Sequence, residues 1–229
     1  TQFSQVNIAV SATSDPTMGW YKYRTPSTII NGGGPCWVDY PGLGVDASAI
    51  YVTGNLVPWN TGSTGVLYRS YDKQPMLTGA PVTPVDLVDS SSASVQAAHE
   101  FDFPLAPYFV STDSQTTIKV QALLNPLTTP TLVSTTVAVP FFRYPTAGAP
   151  QPQSSVLLDT RDGRLINAAW VKRSLYTAHA IKVNGKNVAR WYQFATNNWP
   201  ASGAPSLVQS GDTDLCDGLS GYHPSASLT

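Results

Sequence analysis

The chain is poor in the residues that helices and strong electrostatic partners require. Glutamate occurs once, at Glu100, and Asp, Glu, Lys and Arg together make up 12% of the 229 residues. A sequence dominated instead by Ser, Thr, Val, Gly and Pro favours strands and turns. The composition therefore predicts an all-β protein, and the length suits one domain with a large core.

An excess of either charge and long apolar runs are also missing. Thirteen Lys and Arg residues against fourteen Asp and Glu residues give a net charge of −1, which supplies no field to attract a polyanion. No apolar run approaches the roughly 20 residues of a membrane-spanning helix, and no signal-peptide pattern begins the chain. We expect no nucleic-acid and no membrane partner. The low charge and the many Ser, Thr, Asn and aromatic residues are typical of exported proteins and predict a secreted, extracellular protein.

Cysteine and histidine are too few and too scattered for a metal site. Cys36 and Cys216 form either a disulfide or two separate thiols, and neither belongs to a spaced ligand pair. The three histidines, at positions 99, 179 and 223, lack the i, i+2 or i, i+4 spacing of metal ligands. We expect no metal and no cofactor. The alternative is a calcium ion held by oxygens of the turn at residues 159–163, which otherwise is a plain turn.

Short alternating segments separated by turn residues predict antiparallel strands. Residues 6–10 and 20–23 read as a hairpin, and groups of short strands follow within residues 38–71, 108–139 and 163–210. Asn184-Gly185 is the signal of a tight hairpin turn. The glycine-rich residues 29–35, the serine-rich residues 86–96 and the proline-rich residues 141–154 are expected to be loops.

The strand groups recur at a spacing of roughly 50 to 60 residues, which is the size of a propeller blade. We therefore predict a β-propeller of four-stranded antiparallel blades in a single domain, 1–229. Its expected parts are a half blade (1–30), three blades (37–83, 100–140 and 156–210) and the start of another (221–229). The ends are out of phase, which predicts an incomplete ring, or one closed by the terminal half-blades or by a second chain, and hence a homo-oligomer as one alternative.

Several segments resemble bacterial secreted β-propeller proteins distantly related to the sialidase (Asp-box) superfamily. They are residues 8–20, 39–46, 51–55, 162–165 and 189–192. In those proteins the first segment corresponds to a degenerate Asp-box hairpin and the second to an inner strand that begins Asp-Tyr-Pro. The resemblance implies the propeller fold, and it treats the Asp-box as a device of the fold rather than of the chemistry.

Acidic residues near the expected inner strand are the first candidates for a site. Asp39 would lie near the start of this strand, where it opens onto the axial mouth, and is the candidate catalytic acid. Asp46 is a candidate ligand-binding residue. In the alternative interpretation both carboxylates hold backbone turns. A sialidase is not predicted, because only Arg164 and Arg190 fall in the resembling segments and no Tyr/Glu pair matches. Another glycoside hydrolase would need two carboxyl groups, drawn from the Asp residues or from Glu100.

Aromatic residues are the second set of candidates. Trp59 and Trp199 occur in predicted loops beside Asn and Pro, where an exposed ring could stack on a sugar or anchor a protein partner. The alternative is packing between blades. His223, before Pro224, is expected at the mouth of the ring.

These observations favour a secreted propeller that binds a carbohydrate or a surface partner. One alternative is a glycoside hydrolase of sialidase-like ancestry, with Asp39 among its acids. Another is a structural or assembly module without a ligand, in which terminal half-blades pair with another chain.

Overall fold

The computed structural model describes residues 2–60, 62–146 and 148–213. Strands make up 57% and helix 2% of the described residues, which confirms the all-β class. The elements are β1 (Gln5–Ser11), β2 (Trp20–Pro26), β3 (Ile29–Asn31), β4 (Gly34–Val45), β5 (Ala49–Pro58), β6 (Val66–Asp72), α1 (Lys73–Met76), β7 (Val85–Asp89), β8 (Gln96–Glu100), β9 (Tyr108–Ser114), β10 (Thr117–Leu124), β11 (Thr131–Ala138), β12 (Ala149–Gln151), β13 (Ser154–Leu158), β14 (Ala168–Val171), β15 (Ser174–Val183), β16 (Lys186–Ala195) and β17 (Ser206–Thr213).

Thirteen of these strands form one mixed sheet. Its frame is three antiparallel meanders, each of four strands in chain order: β4 to β7, β8 to β11, and β14 to β17. The first strands of the meanders are joined in parallel, with β8 between β4 and β14. The hairpins β1–β2 and β12–β13 are separate two-stranded sheets.

The predicted β-propeller is wrong. The sheet of thirteen strands is neither closed nor curled and shows no blades. The meanders are not separate sheets arranged around an axis, because parallel backbone pairing joins Val45 to His99, and Ala98 to Ala168. The incomplete ring and the closure by terminal half-blades or a second chain are corrected with it, and the β1–β2 hairpin pairs only with itself within the described residues.

Small residues on the first strands allow this pairing. A Cβ built on Gly44 would lie 2.4 Å from the carbonyl oxygen of Ala98, which leaves no space for a side chain between β4 and β8. Ala98 and Ala168 are themselves fully buried. Backbones can approach this closely only where side chains are absent or small, so the meanders merge where their first strands meet.

The local turn signals are partly confirmed. β1 pairs with β2 in the predicted hairpin, and Asn184 and Gly185 take the positive φ angles, 48° and 83°, of a tight turn. Three predicted loops are wrong in part: residues 29–31 pair with β4 around Gly32-Gly33, residues 85–89 form the edge strand β7, and residues 149–151 form β12.

Aromatic rings fill the core between the second and third meanders. Tyr108 stacks between Trp170 and Trp199, with ring centroids 5.8 and 6.0 Å away, and its hydroxyl donates to the Trp199 carbonyl oxygen at 2.6 Å. A second cluster surrounds Phe109, whose ring meets those of Tyr51 and Tyr68 edge-on. These contacts bury the ring of Trp199, which the sequence had suggested for ligand binding.

A buried arginine fastens the β1–β2 hairpin to the large sheet. Arg69, 3% exposed, makes two hydrogen bonds of 2.7 Å to the carboxylate of Asp86 and donates to Thr25 Oγ1 and the Pro26 carbonyl oxygen. Its charge is therefore paired and hydrogen-bonded, as burial requires. Within the described part of the chain, no helix is both long and apolar enough to cross a membrane.

Candidate functional site

A cleft of about 610 Å³ lies beside the turn that precedes β14. The turn, residues 159–164, has the repeated sequence Asp-Thr-Arg-Asp-Gly-Arg and is called the Asp-Arg turn below. All residues of the turn except Thr160 line the cleft, together with Tyr144, which has 41% of its surface exposed.

Each half of the Asp-Arg turn folds in the same way. The carboxylate of Asp159 accepts from the Arg161 backbone N–H, Nε and Nη2 at 3.0, 3.0 and 3.1 Å. The carboxylate of Asp162 accepts from the same atoms of Arg164 at 3.0, 2.8 and 2.5 Å. An Asp side chain that bonds the N–H two residues later closes a local turn, so the repeat itself produces two planar Asp-Arg pairs side by side.

Each pair keeps its guanidinium charged, and one guanidinium nitrogen of each arginine bonds to no described residue. Hydrogen bonding to Asp159 raises the pKa of Arg161, and hydrogen bonding to Asp162 raises that of Arg164. Neither Arg161 nor Arg164 uses its Nη1 in a hydrogen bond to the described residues. Because a guanidinium carries its five donors in a rigid fork, these Nη1 groups are fixed donors at the cleft.

Tyr40 supports the second pair from β4. The Cζ atom of Arg164 lies 3.6 Å from the centroid of the Tyr40 ring, and the Tyr40 hydroxyl donates to the Leu165 carbonyl oxygen at 3.1 Å. Burial raises the pKa of Tyr40 to about 12, so the hydroxyl stays a neutral donor. The register of β4 against β5 shifts between Asp39 and Gly42, and Tyr40 there adopts φ 52°. This bulge turns the ring toward the Asp-Arg turn.

A buried histidine of β15 holds the Asp-Arg turn by a hydrogen bond to its backbone. His179 contacts the Gly163 carbonyl oxygen through Nδ1 at 2.8 Å and the Tyr192 hydroxyl through Nε2 at 3.0 Å. Burial lowers its pKa to about 4, so the ring is neutral at physiological pH. Since a carbonyl oxygen can only accept, Nδ1 carries the proton and Nε2 accepts from Tyr192. The neighbouring Thr160 hydroxyl accepts from Asn187 Nδ2 at 2.6 Å, which also holds the turn.

The cleft is balanced in charge and offers both donors and acceptors. Two aspartates and two arginines sum to zero, and Asp39, which is exposed, lies close enough to Arg164 to raise its pKa. Such a site suits uncharged polar ligands better than anions. Among the described residues, no group of three or more His, Cys, Asp or Glu residues is placed to hold a metal ion. The guanidiniums also occupy the carboxylates that a calcium ion in this turn would need.

The predicted site residues do not converge. Asp39 is close enough to Arg164 to affect its pKa but does not line the cleft, and Asp46 follows the far end of β4, seven residues away and therefore roughly 20 Å along the strand. Trp59 follows the end of β5 and is half-buried, and Trp199, expected to be exposed, is 5% exposed. His223 and Cys216 lie outside the described residues, and Cys36 is a buried free thiol among those described.

Sequence reasoning missed the arginines of the turn as site residues. It interpreted residues 159–163 as a plain turn or as calcium ligands, and Arg164 only as an arginine that a sialidase would need, although the tandem Asp-x-Arg pattern was a visible signal for paired side chains. Tyr144 carried no signal, because its position on the cleft wall depends on the packing of residues distant in sequence.

Comparison of the chain with protein-family models, with curated proteins and with solved structures finds no match. The resemblance to sialidase-related proteins therefore stays a prediction, and the case for any function rests on the cleft.

Proposed function

We propose that the chain is a binding module for neutral carbohydrate and that the Asp-Arg turn cleft is its binding site. The observation that carries the proposal is the side-by-side arrangement of two planar, charge-compensated Asp-Arg pairs in a cleft of about 610 Å³. An extracellular location, favoured by the low charge of the chain, belongs to the same proposal.

Sugar hydroxyls fit the hydrogen-bonding character of the cleft. A hydroxyl both donates and accepts, and each Asp-Arg pair places a carboxylate beside an Nη1 donor that bonds to no described residue. The exposed ring of Tyr144 offers an apolar surface for the C–H face of a sugar. Because Tyr40 and His179 hold the turn in place, little side-chain freedom is lost when a ligand binds.

The charge balance argues for neutral rather than acidic sugars. A ligand carboxylate would gain little from guanidiniums that Asp159 and Asp162 already neutralise, and it would approach the charge of Asp39. The same pairing disfavours hydrolysis at this site. Three donors stabilise the ionised form of each carboxylate, whereas a general acid must carry a proton.

A glycan array that contains neutral and sialylated oligosaccharides tests the proposal, with calorimetric titration of any ligand that binds. We expect neutral glycans to bind and Arg164→Lys to weaken binding about tenfold, because lysine keeps the charge but loses the fork. Tyr144→Ala is expected to weaken binding by a similar factor through the lost apolar contact.

Arg24→Lys is the matched control. Arg24 is an exposed arginine of β2, outside the Asp-Arg turn cleft, and its replacement should leave binding unchanged. Absence of glycan binding, or binding that neither Arg164→Lys nor Tyr144→Ala weakens, would contradict the proposal.

A further inference from the structure

A second cleft, of about 340 Å³, lies where β4 and β8 end. Its lining includes Asp46, Lys73, His99, Glu100, Asp102 and Phe103, and it is called the Glu100 cleft below. β8 and β14 run parallel, and the Asp-Arg turn precedes β14 whereas Glu100 is the last residue of β8. The two clefts therefore share no residue and lie toward opposite ends of these strands.

Glu100 has one carboxyl oxygen without a partner. Glu100 is 9% exposed, and its Oε1 accepts a hydrogen bond from the Tyr108 backbone N–H at 2.7 Å. Oε2 is buried and makes no hydrogen bond within the described part of the chain. A buried polar atom of this kind is uncommon in folded proteins, because leaving it without a partner destabilises the fold.

The surroundings of Glu100 keep it neutral. Burial first, and then the charge of Asp46, raise its pKa to about 9, although the Tyr108 N–H acts in the opposite direction. Because Oε1 already accepts a hydrogen bond, the proton belongs on Oε2. At neutral pH the cleft thus contains a carboxylic acid whose O–H group has no acceptor among the described residues.

Asp46 is a fixed charge that cannot relieve this arrangement. Its Oδ1 accepts from the Ser48 backbone N–H, Ser48 Oγ and the Ala49 N–H at 2.7, 2.9 and 2.7 Å, and its Oδ2 accepts from the Tyr51 hydroxyl at 2.7 Å. These four donors hold both oxygens of the carboxylate in the turn after β4.

Apolar side chains are exposed beside the acid. Phe101, Phe103 and Leu105 follow β8 directly and are 63%, 85% and 59% exposed. Large apolar side chains exposed together often mark a binding surface. The segment lies outside the strands, so it can move more readily than the strands do when a ligand reaches the covered Oε2.

We propose that the Glu100 cleft binds an uncharged ligand in which an apolar group adjoins a carbonyl oxygen. The carbonyl oxygen accepts the hydrogen bond from Glu100, and the apolar group packs against Phe103 and Phe101. An amide or ester carbonyl fits because it accepts without donating, and the acid needs an acceptor alone. This site is independent of carbohydrate binding at the Asp-Arg turn.

The pH dependence of binding follows from the groups that face Glu100. Asp46 reaches it from the end of β4, Lys73 from α1, His99 from β8, Asp102 from the following segment, Tyr51 from β5 and the Tyr108 N–H from β9. Above a pH of about 9 the carboxyl of Glu100 loses its proton. An ionised carboxylate cannot donate to a carbonyl oxygen, so affinity should be constant through neutral pH and fall above about 9.

Titration of the ¹⁵N-labelled chain with N-acetyl-L-phenylalanine amide, followed by amide NMR spectra, tests this site. We expect saturable shifts at residues of the Glu100 cleft, and weaker binding of N-acetyl-L-alanine amide, which lacks the ring. Glu100→Met should weaken binding about fivefold to tenfold, the effect of one lost hydrogen bond. Glu100→Gln keeps an N–H donor in the same place and should retain binding at neutral pH while removing the loss above pH 9.

Asp113→Asn is the matched control, since it neutralises an exposed carboxyl group of β9 outside the Glu100 cleft and should leave the affinity and its dependence above pH 9 unchanged. The spectra of each variant report whether it is folded. If Glu100→Met does not fold, the affinities of Glu100→Gln and of the unsubstituted chain, compared above and below pH 9, test the proposal instead. Three results would overturn the proposal: no saturable shifts in the cleft, a pH dependence that survives in Glu100→Gln, or tighter binding of the free acid N-acetyl-L-phenylalanine.

Discussion

The guanidinium of Arg164 lies over the ring of Tyr40, with 3.6 Å between Cζ and the ring centroid. This contact joins two parts of the chain that are far apart in sequence, the bulge in β4 and the Asp-Arg turn before β14. A cation over a tyrosine ring gains about 0.5 to 2 kcal/mol depending on its exposure. The contact also fixes the plane of the guanidinium, and therefore the direction of the Nη1 that bonds to no described residue.

Tyr40→Phe separates the two roles of this tyrosine. The substitution removes the hydrogen bond to the Leu165 carbonyl oxygen and keeps the ring beneath Arg164, so we expect stability to fall by about 1 kcal/mol and glycan affinity to change little. Tyr40→Ala removes the ring as well and should weaken glycan binding. Urea denaturation and calorimetric titration measure the two effects. Equal affinities of Tyr40→Ala and the unsubstituted chain would show that the ring does not position Arg164.

His179→Phe tests the support of the turn from below. Phenylalanine fits against Phe142 but leaves the Gly163 carbonyl oxygen and the Tyr192 hydroxyl without their partner. We expect a loss of about 2 kcal/mol in stability, since buried groups lose their hydrogen bonds, together with weaker glycan binding. Unchanged glycan affinity in a folded variant would show that His179 does not contribute to glycan binding.

The low pKa of His179 predicts that the stability of the fold decreases in acid. Its pKa is about 4 in the folded chain and near 6.5 when unperturbed, so the unfolded chain binds more protons between these values. The stability from His179 is complete above pH 6.5 and decreases by about 1.4 kcal/mol per unit as the pH falls toward 4. The difference in urea midpoint between the unsubstituted chain and His179→Phe should therefore shrink on acidification. A constant difference would mean that His179 is not neutral in the fold.

Gly44→Ala tests the joint between the first two meanders. The added Cβ would lie 2.4 Å from the Ala98 carbonyl oxygen and 2.7 Å from the Ala97 Cβ, and forcing β4 from β8 should destabilise the chain by about 1 to 3 kcal/mol. Gly34→Ala in the same strand is the control, because no atom lies within 4 Å of its added Cβ. Thermal denaturation compares them. Similar melting temperatures for the two variants would place the strands farther apart than described.

The strands themselves could be predicted from sequence, because alternation of apolar residues along 6–10 or 116–124 depends only on neighbours a few residues away. The parallel pairing that joins the meanders could not be predicted from sequence. The pairing of Val45 with His99, and of His99 with Ala169, links residues more than fifty positions apart and has no local signal beyond small residues. Strand β7 was hidden for another reason, since its short alternating run, Val85–Asp89, enters a serine-rich segment.

Only part of the candidate site could be predicted from the sequence. Asp39 was proposed from its expected place near the start of an inner propeller strand; its charge acts on Arg164, but its role as a catalytic acid stays a prediction. Nothing local in the sequence indicated that the only glutamate would be buried with an unpartnered oxygen, because burial of Glu100 depends on the packing of β9 and the turn after β4 around it.

Glu100→Gln should stabilise the chain in a way that depends on pH. The pKa of Glu100 is about 9 in the folded chain and about 4.5 when unperturbed, so between these values the folded chain binds more protons than the unfolded chain. Stability is then highest below pH 4.5 and decreases by about 1.4 kcal/mol per unit as the pH rises toward 9. Glutamine has no proton to lose and retains the acceptor for the Tyr108 N–H. Urea denaturation at pH 5 and at pH 8 should therefore give similar midpoints for both chains at the lower pH and a higher midpoint for Glu100→Gln at the higher one. A gap that is equal at both pH values would show that Glu100 is ionised in the fold and would remove the donor on which the Glu100 cleft depends.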